Sequence, residues 1–127
     1  MNILIIEDEL LIQKSLKKLL EKEGATVTAV SQGTNAIQLI HKYDFDRIIC
    51  DLMLQDITGF DIIEESKRKY TLTEISKIFI IITAYSSEQV LEKAAQYKCK
   101  ILNKPFKDLK KAIDVFLTPT QYIEDYK

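Results

Sequence analysis

Three stretches of this chain are apolar at every position: Ile3-Leu4-Ile5-Ile6, Ile48-Ile49-Cys50 and Ile78-Phe79-Ile80-Ile81-Ile82. A strand with one wet face alternates apolar and polar residues, because successive side chains point to opposite faces. A strand without alternation is buried on both faces, the condition of a parallel sheet covered by helices on each side. The intervening segments supply those helices. Residues 9–23 place Leu11 or Ile12, Leu16, Leu19 and Leu20 on one face, with Lys14, Lys17, Lys18 and Glu21 on the other. Gly24 stops that helix. Thr26-Val27-Thr28-Ala29-Val30 is rich in β-branched residues and forms a further predicted strand. Helices are predicted over 34–42, from Gly59 through Phe60, Ile62 and Ile63, over 87–97, and over 107–117. The third of these starts at Ser86, three residues before Gln89, a capping-box spacing. Residues 47–51 and 99–103 complete the strands. Five β-α units predict an α/β fold with a five-stranded parallel sheet and helices on both faces.

Composition narrows the function. The 127 residues suit one domain, and 46% of them are hydrophobic, enough for one good core. With 18 basic and 19 acidic residues the net charge is −1, which leaves no footprint for nucleic acid. No apolar run approaches the roughly 20 residues that span a bilayer. The chain begins on a strand-like run, without room for a signal peptide. Cys50 and Cys99 lack metal-ligand spacing and are expected to be reduced core residues of a cytoplasmic protein. The residues beyond 117 form a short tail: a frayed end, a docked segment or a linker stub.

The chemistry lies where the strands stop. In open parallel sheets ligands bind beyond the carboxyl ends of the strands. Those ends carry Glu7-Asp8, Asp51, Thr83-Ala84 and Asn103-Lys104-Pro105. Two carboxylates about 4 Å apart repel by roughly 4 kcal/mol at an effective dielectric near 20, so the cluster needs a cation, a proton or a basic side chain. Phosphoryl transfer fits this set. Asp51 would attack phosphorus, while Mg²⁺ or Mn²⁺ held by Asp8, Glu7 and Asp51 would neutralise the approach of two anions. Lys104 would meet a phosphoryl oxygen, with the Thr83 hydroxyl and the Ala84 N–H donating to others.

These residues resemble the response-regulator receiver domain of two-component signalling. The likeness rests on Glu7-Asp8, on Asp51 with Gly59 eight residues later, on Thr83-Ala84, and on Lys104-Pro105-Phe106. It implies a receiver domain over 1–117, a tail over 118–127, and the flavodoxin-like strand order 2-1-3-4-5. It implies that Asp51 takes a phosphoryl group from a histidine kinase or phosphotransfer protein. It adds the Met53 carbonyl to the metal site and a cis Lys104–Pro105 bond. An effector would bind the face of the fourth predicted helix, fifth strand and last helix, in a monomer or a phosphorylation-dependent dimer. Four positions depart from the family pattern: Ile101 replaces a switching aromatic, Gln55 a proline, and Tyr97-Lys98 a Gly-Ala pair.

Other readings remain open. The chain could be a docking module indifferent to phosphorylation, which Ile101 motivates, or the receiver fragment of a DNA-binding regulator. A small phosphatase or nucleotide-binding enzyme is disfavoured, because the chain has neither a second acid two residues after Asp51 nor a Gly-rich phosphate loop. His41 reads as a surface residue and the lysines at 93, 98, 107, 110 and 111 as a solvated face or a partner face, while Tyr85 stands at the mouth of the site.

Overall fold

All five predicted strands form, and they lie parallel in the order β2-β1-β3-β4-β5. The computed structural model describes residues 1–119. The strands are β1 (Asn2–Ile6), β2 (Thr26–Val30), β3 (Arg47–Asp51), β4 (Phe79–Thr83) and β5 (Lys100–Asn103). The helices are α1 (Leu10–Lys22), α2 (Gly33–Lys42), α3 (Gly59–Ser66), α4 (Leu72–Ile78), α5 (Glu88–Tyr97) and α6 (Leu109–Leu117).

The unbroken apolar runs bury both faces, as expected. Leu4, Ile6, Ile48, Cys50, Phe79 and Ile81 pack on one side with residues of α2, α3, α4 and α5. Ile3, Ile5, Ile49, Ile80 and Ile82 pack on the other with Leu16 and Leu20 of α1 and Ala112, Ile113 and Phe116 of α6. Removing one such side chain to alanine costs about 2 to 5 kcal/mol. Cys50 and Cys99 are buried free thiols. Gly24 ends α1 with φ +95°, a conformation that a side chain would strain.

Several boundaries shift by one or two residues, α6 starting at Leu109 and β5 at Lys100; two shifts have a clear cause, and one helix is additional. Ile78 closes α4 and does not open β4. The cap of α5 is Ser87, not Ser86: its hydroxyl accepts from the Val90 N–H. Among the described residues, helix α4 makes six helices where five were predicted. Its start is a capping box in which Thr71 and Glu74 each satisfy the other's backbone amide. The tail expected over 118–127 lies, beyond Pro119, outside the described residues.

The amino edge of the sheet is tied by cations. Arg47, 1% exposed, donates from Nε to the Phe116 carbonyl (3.1 Å), from Nη1 to that of Lys77 (2.8 Å), and from Nη2 to that of Thr118. One guanidinium thereby meets carbonyls at the C-terminal ends of both α4 and α6, where helix carbonyls lack partners and the dipole is negative. Lys69 does the same for α2, donating to the carbonyls of Ile40 (2.8 Å) and Tyr43 (2.7 Å).

Candidate functional site

The carboxyl edge gathers the acids. Glu7, one residue past β1, is wholly buried, because its amide continues the β1–β2 ladder to the Val30 carbonyl. Asp51 ends β3 and is 3% exposed. Its Oδ1 accepts from the Met53 N–H at 3.2 Å. The loop after it closes through a bridge between Met53 and Thr58 and then enters α3. Gly59 is required there: a Cβ would stand 2.9 Å from the Asp51 carbonyl oxygen and 3.1 Å from the Leu52 Cα. This close approach of backbone to backbone explains the Asp51-to-Gly59 spacing.

Lys104 reaches into the acids from the end of β5, anchored by its own N–H on the Thr83 carbonyl at 2.8 Å. Its Nζ lies 2.8 Å from Glu7 Oε1 and 3.1 Å from Asp51 Oδ2. A third carboxylate, Glu9 Oε1, stands at 3.1 Å. The bond that leads into Pro105 is cis.

The electrostatics follow from burial. Burial pushes the Glu7 carboxyl up from 4.5 to about 7; the Lys104 hydrogen bond opposes this and Asp51 adds to it. Burial also disfavours the charged form of Lys104, but Glu7 and Asp51 together outweigh it and hold the ammonium above the usual lysine value. Two buried acids on one cation leave negative charge to spare, and Asp8 adds more at the half-exposed mouth. Glu7, Asp8 and Asp51 can place carboxylate oxygens within 4.8 Å of one another. Hard divalent cations such as Mg²⁺ take oxygen ligands of this kind, so the donor set fits such an ion.

Thr83 is positioned at the same edge and buried, but its hydroxyl is already engaged. It donates to the Tyr85 carbonyl and accepts from the Tyr85 N–H, both at 3.0 Å. Ala84 and Tyr85 are exposed, Tyr85 at 67%. Ile101 is half-buried against the core on the α2–α5 side. Tyr97, at another departing position, is buried and stacks on Phe60 of α3 with centroids 6.0 Å apart. Lys93 is exposed, as expected, and its ammonium lies over the Phe60 ring at 5.0 Å. Lys107, Lys110, Lys111 and His41 are exposed.

Sequence reasoning missed Glu9 and Asp56. Asp56, in the loop after Asp51, accepts from the N–H groups of Gly33 and Thr34, both at 3.0 Å. It caps α2, whose own N-cap Gln32 makes no side-chain cap. Those bonds, chiefly that from Thr34, hold its carboxyl down at about 2.

The model of the response regulator receiver domain family matches residues 3–114. The chain is a member of that family. Receiver domains of response regulators are signalling switches of two-component systems, not turnover enzymes. The receiver is 26% identical over 106 residues to a "Probable transcriptional regulator ycf29" of Pyropia yezoensis, covering 83% of this chain and 47% of that protein. It is 33% identical over 87 residues to "Response regulator SaeR" of Staphylococcus aureus, covering 68% of this chain and 36% of that protein. It thus spans about a third to a half of these curated relatives. The response regulator TrrA from Thermotoga maritima, solved in complex with Mg(2+)-BeF, is similar at 25% identity with a TM-score of 0.70, covering 91% of this chain and 98% of that one. The flavodoxin-like order drawn from the resemblance is the order observed. Among the described residues, no helix is long and apolar enough to cross a membrane.

Proposed function

We propose that this receiver is a phospho-acceptor switch in which Asp51 takes a phosphoryl group from a histidine kinase or phosphotransfer protein in a Mg²⁺-dependent reaction. The observation that carries this reading is the buried Asp51–Lys104 contact of 3.1 Å beside acids able to share a cation. An Asp51 carboxylate oxygen forms the new bond to phosphorus. The bond from phosphorus to the donor's imidazole nitrogen breaks, and that nitrogen keeps the electron pair. Asp8, Glu7, Asp51 and the Met53 carbonyl would hold Mg²⁺ or Mn²⁺, which supplies charge neutralisation between the two anions. Lys104 transfers its ammonium from the free carboxylate to a phosphoryl oxygen. The Ala84 N–H and the Thr83 hydroxyl serve the others, and Thr83 must first release Tyr85.

That release connects the site to its output. Freed from Thr83, the loop from Ala84 into α5 rearranges, and the α5–β5–α6 face changes its affinity for an effector. The test uses acetyl phosphate with Mg²⁺, from which Asp51 displaces acetate. Asp51→Asn is expected to abolish labelling; label that persists on another residue rejects Asp51 as acceptor. Effector binding that ignores both acetyl phosphate and Asp51→Ala would instead favour the phosphorylation-independent docking module, the reading that Ile101 motivates.

A second reading concerns context: this receiver acts as the N-terminal part of a DNA-binding regulator. Its support is that the chain covers about half of proteins named probable transcriptional regulators. Translation of the reading frame past Lys127 decides it, and a stop codon there rejects it.

A further inference from the structure

Glu9 stands as close to the Lys104 ammonium as Asp51 does, 3.1 Å in each case. Its setting is different. The Glu7 and Asp51 side chains are 0% and 4% exposed, whereas that of Glu9 is 60% exposed. Glu9 is the N-cap residue of α1, yet its side chain caps nothing. A short acid, aspartate, at that position ordinarily accepts from an amide of the first turn. Here the carboxylate turns instead to the lysine, and the Glu9 N–H donates to Glu7 Oε2 at 3.1 Å. The residue therefore touches both partners of the buried ion pair. It does not belong to the group of acids, Glu7, Asp8 and Asp51, whose oxygens converge within 4.8 Å.

Charge gives this arrangement a consequence. A dication held by the converging acids draws on Glu7 and Asp51, two of the three carboxylates that hold Lys104. It also repels the ammonium itself. Glu9 is the carboxylate left to retain it. We propose that Glu9 is a positioning residue that keeps the Lys104 ammonium beside Asp51 when a divalent cation occupies the acidic cluster. Its use in phosphorylation rests on the phospho-acceptor reading, because the ammonium must be in place when the phosphoryl group arrives. The retention itself does not depend on that reading.

The full chain with ¹⁵N-labelled lysine provides the first test. A buried, hydrogen-bonded ammonium exchanges its protons slowly and gives its own resonance, which Lys104→Gln assigns by its loss. The wild type is expected to keep that resonance when Mg²⁺ saturates. Glu9→Gln is expected to keep it without metal and lose it with Mg²⁺, and Glu9→Asp to retain part of it. The second test is the initial rate of labelling by acetyl phosphate at saturating Mg²⁺. Glu9→Gln should slow it about two- to fivefold, the range of a half-exposed ion pair. The same change in a Lys104→Gln background should slow it no further.

A resonance that survives Mg²⁺ in Glu9→Gln overturns the proposal. So does equal slowing in the Lys104→Gln background. A loss of Mg²⁺ affinity in Glu9→Gln as large as in Asp8→Asn would make Glu9 a metal ligand and overturn it too. A wild type that takes no label on Asp51 sinks only the phospho-acceptor reading, and the ammonium resonance still decides the role of Glu9.

Discussion

Lys104 and Arg47 are both buried cations, set at opposite ends of one sheet, and they are satisfied in different ways. Lys104 sits among three carboxylates: Glu7 can take a proton, Glu7 and Asp51 can be drawn to a metal, and the exposed Glu9 can turn away. Arg47 sits among backbone carbonyls of α4 and α6, which can do none of these things. A guanidinium also keeps its proton at any ordinary pH, and its planar fork suits several fixed acceptors at once. The surroundings of Lys104 are thus groups whose charge can change, whereas the backbone carbonyls that meet Arg47 are groups whose charge cannot. The contrast teaches where this fold can respond to a ligand and where it can only be held or broken.

The largest expected effect breaks the fixed end. Arg47→Met leaves buried carbonyls without their donor and should cost about 3 to 5 kcal/mol of unfolding free energy. Urea melts with and without Mg²⁺ check this. A loss that Mg²⁺ repairs would mean the two ends are not independent.

The next effect is one of pH, at the other end. Glu7 titrates at 4.5 when unmodified and at about 7 in the fold. Between those values the folded state binds more protons than the unfolded one, so stability falls as pH rises from about 4.5 to about 7. It is level with respect to Glu7 above that window. The fall should be of order 3 kcal/mol in metal-free protein and absent in Glu7→Gln. Asp56 has the opposite sign, because its carboxyl is held down. Its contribution is present above its ordinary value of 3.8 and is lost as pH falls through about 2, outside the Glu7 window.

Lys104→Met should cost about 2 kcal/mol, less than a fully trapped pair because Glu7 can take a proton instead. Here Mg²⁺ should restore most of the loss, in contrast to Arg47→Met. Denaturant melts across a Mg²⁺ series measure both. The smallest effect is a gain: Asp8→Asn should stabilise the metal-free protein by up to about 1 kcal/mol by relieving repulsion. It should also reduce the stabilisation that Mg²⁺ gives, as a rise in the Mg²⁺ needed to shift the melting temperature. If neither quantity moves, Asp8 does not share charge with the cluster.

The isoleucine runs made the sheet legible, since lack of alternation carries one meaning in a layered fold. The acids at the strand ends made the site legible for a similar reason. Helix α4 was harder. Its seven residues are too few to display a period, and Ile78 joined the apolar run of β4, although Thr71 and Glu74 did carry the capping signal. Arg47 was not legible at all. A cation opening a buried strand is explained by carbonyls that lie far along the chain, and no local pattern points to them. Glu9 follows two other acids in the sequence, and only the path of Lys104 singles it out. The Thr83 hydroxyl illustrates a further limit: residue type announced a donor, but not that Tyr85 already held it.

That small turn between Thr83 and Tyr85 has a practical side. The chain has no tryptophan and six tyrosines. The Tyr85 amide is bound to the Thr83 hydroxyl, and its ring stands in solvent. Any group that recruits the hydroxyl therefore frees the Tyr85 amide, directly beside a ring that stands in solvent. Subtracting the emission of Tyr85→Phe from that of the wild type would isolate this one ring among the six, and so follow occupancy of the site in real time.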